Sequence, residues 1–563
     1  MKKIILSSIS LILVAAITVV ALAATSITSN PKIDKIKEAT YDDGQSFIKG
    51  TKGPSKFSDP EGLKAVDKDK TTIWEAEGSN AYTQLNFDKL TTINNLYITE
   101  KGAKVRLYHV EAWNGAEWVT VFNSDIIEGY YIAPIDTIKT SALRLWIDKS
   151  WDGGKVEIAE FDAGYQRPIE YDREFVHSTY IASNDYVHQI GWGTHVNKEY
   201  YDSLTDIIMI GSTLIDKDAR FTVGIEDNGG NLRLAKLLDW DDPLVEKYMA
   251  ADDLAAALPS ELGKTVYAGE KGYIPFVKSI SDNPVKPNIW MAMGVVTKAQ
   301  SSDRGIAANA LNAMSDPVKR AKFVSDAVSF CKKYEFYGID IDWEYCGAGL
   351  LDTYNKFLIE LGTALHAEGK HLSAAQFTGM STQGGFASVE AIKHLDRVNM
   401  MSYDQKGTSG RGNHHSTFNG ATVNDIDKYL AHGYPIEKLC LGTAWYGGNE
   451  GYNAFFSKLQ AEAEATNPGV TNPKVDLGKN FFGGTDGNGV YLIRSRTLYA
   501  IQRKMCGLFS FRGAIDINID EKPENRYASI GIAEKETIEK FVTYKDGVQT
   551  KFGEIKDGKP IQK

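Results

Sequence analysis

The sequence predicts an α/β protein, a (β/α)8 barrel preceded by an all-β module. Three observations predict it. From about residue 175 to 542, apolar runs of strand length alternate with amphipathic helices, and the strand candidates number eight. Those runs are apolar on both faces, as strands covered on the inside and the outside of a barrel must be. Residues 33–163 instead carry short β-branched and aromatic runs separated by Gly and Asn turns, the spacing of a sandwich.

Composition bounds the rest. The chain has 563 residues, 43% hydrophobic and 24% charged, which excludes disordered and polytopic membrane classes. A net charge of −10 gives no electrostatic reason to bind nucleic acid or anionic lipid. Residues 1–23 read as a signal peptide: Lys2 and Lys3, an apolar run from Ile4 to Val20, then Ala21-Leu22-Ala23 as a cleavage pattern. Export follows, to the medium or the cell surface. The length of the run leaves an uncleaved anchor as the alternative, and no other stretch is apolar over ~20 residues.

In the β module, Leu96–Thr99, Lys104–Tyr108 and Leu143–Ile147 are strand candidates. In the barrel they are Ser178–Ala182, Asp206–Ser212, Asn288–Val295, Tyr337–Glu344, His371–Thr378, Arg397–Asp404, Lys438–Tyr446 and Gly507–Ile515. A helix starts at Asp316-Pro317, a cap followed by proline in the first turn, with Phe323, Val324, Ala327, Val328 and Cys331 on one face. A second runs from Asp352 to Ala367 and closes at Gly369. Residues 213–285 are long for one connection and suggest a lid or subdomain. Residues 543–563, rich in Lys, Gly and Asp, are expected to be a loosely ordered tail. Cys331, Cys346, Cys440 and Cys506 form no CxxC and lie on or beside core elements, so they read as free buried thiols rather than a disulfide framework.

Chemistry concentrates at Asp340, Asp342 and Glu344. Spacing of two on a strand puts all three on one face, at the C-terminal end where barrels keep their sites. Three carboxylates this close cannot all ionise cheaply, so one stays protonated near neutral pH. A protonated carboxylic acid is the equipment for breaking a glycosidic bond. A metal cluster is the competing reading, and no nearby His completes its ligand set.

Tyr337-Gly-Ile-Asp-Ile-Asp-Trp-Glu344 resembles the D-G-x-D-x-D-W-E signature of family 18 glycoside hydrolases, the chitinase family. Asn399-Met-Met-Ser-Tyr-Asp404, Leu441–Gly447 and Leu204–Gly211 resemble its sixth, seventh and second strands. The resemblance implies substrate-assisted, retaining cleavage after N-acetylglucosamine, with no cofactor. It makes Glu344 the general acid/base, Asp342 the partner of the substrate acetamido group, and Asp340 the group sharing its proton. Tyr403 would bind the acetamido oxygen and Asp404 the same sugar. Tyr446, Trp445, Phe511 and Gln376 are further substrate-facing candidates, with core packing the competing reading for Tyr446, Trp445 and Gln376. Four departures favour a glycan other than standard chitin chains: Tyr337 for Asp, Ala292-Met-Gly-Val295 for S-x-G-G, Gly448 for Arg, and Phe511 for Trp. An endo-β-N-acetylglucosaminidase on glycoproteins and a non-hydrolytic glycan binder are the alternatives. His414-His415 reads as a solvated pair rather than metal ligands, and Trp290 as core.

Asp67-Lys-Asp-Lys-Thr-Thr-Ile-Trp74 and Glu157–Phe161 resemble the turn and closing strand of discoidin-like domains, which include carbohydrate-binding modules. The resemblance implies a structural calcium held by Asp67, Asp69, Thr72 and Glu160, whose oxygens have the right hardness. Lys68 and Lys70 in the same loop oppose it. A terminal sugar is the implied ligand, and a domain that only braces the barrel is the alternative.

Overall fold

The structure, a computed structural model, describes residues 60–561 except 125–126, 128, 183–196, 226–235, 259–270, 296–302, 344–348, 378–385, 404–417, 448–449, 452–455 and 457–487. The signal segment, Glu344, Cys346, Asp404, Gly448 and His414-His415 lie outside the described residues.

The chain divides into two compact units, one built mainly on residues up to Gln166 and one on the residues from Arg167 onward. The first holds six strands: β1 (Trp74–Ala76), β2 (Ala81–Lys101), β3 (Val105–Trp113), β4 (Trp118–Ser124), β5 (Tyr130–Ser150) and β6 (Val156–Gly164). They form one sheet in the order β1-β6-β2-β5-β3-β4, every pair antiparallel. The strand candidates of the module fall within β2, β3 and β5, and the closing segment within β6. Among the described residues this is one continuous sheet rather than two. β2 and β5 run unbroken for 21 residues each, through register shifts at Asn86/Thr91 and Ile93/Asn95 where strands bend. Alternation along β3 and β5 sends Tyr108, Val110, Ala112, Leu143, Leu145 and Ile147 into the core. The opposite face carries a cross-strand ladder. Tyr82 and His109 flank Trp146, with ring centroids 4.6 and 5.8 Å apart, and the Arg144 guanidinium lies 3.9 Å from the Trp118 ring.

The second unit opens with β7 (Ile169–Tyr171) and β8 (Val176–Ala182). Then follow β9 (Asp206–Ile215), β10 (Phe221–Ile225), β11 (Lys236–Asp239), β12 (Asn288–Val295), β13 (Gly338–Ile341), β14 (His371–Gln376), β15 (Arg397–Met400), β16 (Leu439–Ala444), the two-residue pair β17 (Tyr446–Gly447) and β18 (Glu450–Gly451), and β19 (Gly507–Phe511). β9, β12, β13, β14, β15, β16, β19 and β8 pair in that order, all parallel, and β8 closes the ring on β9. This is the expected eight-stranded barrel. Helices Pro317–Lys333 and Leu351–Ala367 stand where the capping signals put them, the first with Asp316 accepting from Val318 N. Among the described residues, the 213–285 connection consists of two added strands and three helices. β10 and β11 add antiparallel to the end of β9, followed by the helices Pro243–Ala250, Leu254–Ala257 and Tyr273–Ser279.

Tyr180, Ile208, Trp290, Ala292, Ala375, Met401, Cys440, Cys506 and Phe509 fill the barrel interior. Trp290 is core, and Cys331, Cys440 and Cys506 are buried and free. Gly338 lets β13 pass the His371 carbonyl and the Trp290 ring, since a Cβ there would lie 2.5 Å from His371 O and 2.6 Å from Trp290 Cζ3. Gly338→Ala is therefore expected to lower stability by about 1–3 kcal/mol. Thermal unfolding measures it, and an unchanged Tm would show that the neighbouring strand and the ring give way without cost.

The expectation for residues 543–563 is corrected. β20 (Val542–Tyr544) pairs parallel with β7, and β21 (Gln549–Thr550), β22 (Gly553–Lys556) and β23 (Lys559–Ile561) form a small antiparallel sheet. The polar composition is the outer face of that sheet, while Val548 and Ile555 are buried beneath it.

Candidate active site

β13 ends by delivering Asp340 and Asp342 to the interior side of the barrel mouth. Asp340 is fully buried. Its Oδ2 accepts from the Tyr180 hydroxyl at 2.5 Å, and its Oδ1 accepts from Ser373 Oγ and from Asn399 Nδ2 at 3.0 Å. Burial raises the Asp340 pKa, opposed by the Ser373 and Tyr180 hydrogen bonds, by Arg397 and by Asn399. Burial likewise pushes the Tyr180 phenol well up, reinforced by the charges of Asp340 and Asp342. Three strands besides β13 thus converge on one carboxylate.

Asp342 is half-buried, and its backbone N–H donates to Met293 O at 3.0 Å. The next residue, Trp343, turns outward and stacks on Phe357 at 4.8 Å, so the alternation of inward carboxylates and outward apolar residues holds through residue 343.

Above Asp340 the wall is aromatic. Tyr403, Tyr446 and Phe511 are half-buried and mutually in contact: Tyr403–Tyr446 6.2 Å, Tyr403–Phe511 6.4 Å, Tyr446–Phe511 5.9 Å between ring centroids. Phe511 also meets Tyr180 at 5.8 Å. The structure therefore brings together Asp340, Tyr403, Tyr446 and Phe511, with Asp342 on the same strand face.

Two candidates are not part of this group. Gln376 is wholly buried on the other face of β14 from Ser373 and Ala375, where its Oε1 accepts from the Tyr434 hydroxyl at 2.7 Å. Trp445 is 1% exposed and packs on Tyr200 at 5.0 Å and against Gly531 in the helix layer. Strand parity explains both. Ser373 and Ala375 point inward, so Gln376 points out, and Trp445 shares the outward side of Thr443, which donates to Glu534.

Sequence reasoning missed Tyr180, Ser373 and Arg397 as supports of the site and gave Asn399 no role. Asn399 was visible inside a quoted motif. Tyr180 and Ser373 carry no local signal, since only the barrel register places them opposite Asp340. Arg397 lies 3.5 Å from Asp206 at the start of its strand and 4.3 Å from the Trp290 ring.

In the sheet unit, Asp67 Oδ1 accepts from Asp69 N at 2.9 Å and Oδ2 from Thr72 Oγ1 at 2.8 Å. Asp69 Oδ1 accepts from Thr71 N and Thr71 Oγ1. Lys68, in place of the resemblance's Gly, sits at φ 66°, the left-handed region glycine favours. Glu160 is buried, with the backbone N–H groups of Lys68 and Phe161 beside its carboxylate. Burial, then the charges of Asp162 and Asp67, push its pKa up to about 7. Among the described residues no three His, Cys, Asp or Glu side chains lie close enough together to hold a metal ion.

Residues 306–510 match the family model for glycosyl hydrolases family 18, a segment running from the helix Asp303–Met314 into β19. Chitinase B of Serratia marcescens is 29% identical over 199 residues, covering 32% of this chain and 39% of its own. An endochitinase of Manduca sexta is 34% identical over 150 residues, covering 23% and 27%, and one of Brugia malayi 26% over 221 residues, covering 35% and 42%. The chain thus spans less than half the length of each of these relatives. Among solved structures, a family 18 chitinase of Flavobacterium johnsoniae is similar with TM-score 0.44 and 18% identity, over 67% of this chain and 96% of that one. A chitinase-like agglutinin of Robinia pseudoacacia is similar with TM-score 0.41 and 18% identity, over 64% and 98%.

Proposed function

We propose that this chain is an exported retaining glycoside hydrolase that cleaves β-linkages after N-acetylglucosamine by substrate-assisted catalysis. The observation that carries the reading is the fully buried Asp340, held by Tyr180, Ser373 and Asn399 on the strand face it shares with Asp342, inside the segment that matches the family. The sequence puts Glu344 next on that alternation.

Each residue then has one task. Glu344 protonates the glycosidic oxygen as the bond to the anomeric carbon breaks. The substrate's own acetamido oxygen attacks that carbon, giving an oxazolinium ion, so no enzyme nucleophile is required. The Asp342 carboxylate takes the acetamido N–H and offsets the positive charge. Asp340, raised by burial yet saturated with donors, shares a proton with Asp342 as that charge develops. Tyr403 holds the acetamido oxygen, Asp404 binds the same sugar, and Phe511 and Tyr446 line the site. Glu344 then takes a proton from water, whose oxygen attacks the anomeric carbon from the face the leaving group left, restoring the β configuration.

The test is product release from chitin oligomers, N-glycoproteins and mucin glycans, with the anomer followed by NMR. Release of β-anomer from one substrate supports the reading and names the glycan class. Initial release of α-anomer would refute retention. Binding without release from any of them would favour the non-hydrolytic alternative.

For the sheet unit, the reading is a discoidin-like carbohydrate-binding domain with a structural calcium on Glu160 and the Asp67 turn. The buried Glu160 carboxylate, beside the charges of Asp67 and Asp162, supports it. Without a cation, Glu160 keeps its proton in the folded state up to about pH 7 while the unfolded chain has lost it. Stability is therefore expected to fall as pH rises from the ordinary carboxylate range through about 7. Calcium at pH 7.5 should raise the Tm by about 4 °C or more. Glu160→Gln should remove both dependences. A Tm indifferent to calcium and to chelator would refute the cation.

A further inference from the structure

We propose that Arg496 is a positioning residue for Tyr403, and that it acts by clamping the backbone of three separate segments at the mouth of the barrel. This rests on the function proposed above. Arg496 lies on the helix Val490–Gln502, between β16 and β19 in sequence, and is wholly buried. Its Nη2 donates to Gly442 O at 2.7 Å, to Ser402 O at 2.9 Å and to Ala421 O at 3.3 Å. Gly442 is in β16, the strand that leads to Tyr446. Ser402 immediately precedes Tyr403. Ala421 lies in the turn Asn419–Asn424, just before the helix Asp425–Ala431.

The backbone explains why a clamp is needed at Ser402. The β15 ladder ends at Met400. Met401 N still donates to Gln376 O at 2.7 Å, but Ser402 N turns back to Met400 O at 2.8 Å. Ser402 therefore lies beyond the ladder, is 1% exposed, and has its carbonyl within reach of Arg496. Arg496 supplies the donor. A buried carbonyl left without a donor is costly, which favours another path for the peptide that carries Tyr403.

Only arginine suits the task. Its guanidinium reaches all three carbonyls through Nη2, whose two N–H groups serve Gly442 O and Ser402 O most closely and share with Ala421 O at longer range. Burial lowers its pKa to about 10, so it remains charged at neutral pH. Lysine reaches less far, and loses its proton more readily when buried.

The experiment compares wild type, Arg496→Lys and Arg496→Met, with 3-fluorotyrosine incorporated and the Tyr403 resonance assigned by its loss in Tyr403→Phe. All variants are measured well below their Tm. Arg496→Lys is expected to shift or broaden the Tyr403 fluorine resonance. On the glycan that wild type cleaves, it should lower kcat by about 10- to 100-fold, with KM changing far less, because small misplacements of a positioned group are costly. Arg496→Met should act in the same direction and more strongly if it folds, and the lysine variant decides the matter if it does not. A folded Arg496→Lys with the wild-type Tyr403 resonance overturns the proposal, whatever its activity. If wild type cleaves no glycan at all, the function above fails, and the resonance alone still decides whether Arg496 positions Tyr403.

Discussion

Glu344→Gln is expected to lower kcat about 10²- to 10⁴-fold while leaving glycan binding in place, because it removes the acid without changing the shape of the side chain. The amide cannot hand a proton to the leaving oxygen, nor take one from the incoming water. A substrate whose leaving group is already acidic, such as an aryl glycoside, needs no proton in the first step. On it the variant should recover part of the first step and remain slow in the second. Burst kinetics on the aryl glycoside, with binding to a chitin oligomer by calorimetry, measure both halves. Equal turnover by the variant on natural glycans would sink the mechanism.

Asp342→Asn is the second large effect, expected at about 10²- to 10³-fold in kcat. Here the shape and one hydrogen-bond acceptor survive and only the charge goes. If Asp342 merely oriented the acetamido N–H, the amide oxygen would serve and the loss would be small. If it offsets the positive charge of the oxazolinium ion, the loss is large, since an electrostatic partner acts most where charge develops and water is excluded. Asp340 cannot substitute: its oxygens already take three donors, from Tyr180, Ser373 and Asn399. A wild-type rate in Asp342→Asn would show that the acetamido partner lies elsewhere.

What the sequence made legible follows from what period encodes. All eight barrel strands were readable as apolar runs, because a strand covered on both faces has no polar side. Their ends were not. The run Tyr337–Glu344 continues past the ladder, which stops at Ile341, because hydrophobicity reports burial and the mouth of the barrel is buried after pairing has ceased. Gln376 and Trp445 show the same limit. Their identity suits sugar binding, but counting by two from Ser373 and from Thr443 sends both outward. The partners of Asp340 lie 33, 59 and 160 residues away, so nothing local could name them. The C-terminal segment misled by composition, since a small three-stranded sheet anchored by Ile555 can be rich in Lys, Gly and Asp.

The closure of the barrel has a consequence for how the chain is made. β8, the first barrel strand to leave the ribosome, pairs with β19, the last of the barrel, and Thr179 meets Ser510 at a separation of 331 positions. At about 5–20 residues per second, the first strand waits roughly 15–70 s for its permanent neighbour. During that interval one edge of a growing, apolar sheet stays open to any other strand in reach. The nascent barrel is thus at its most vulnerable just before completion, and its yield in a cell depends on what shields that edge while synthesis runs on.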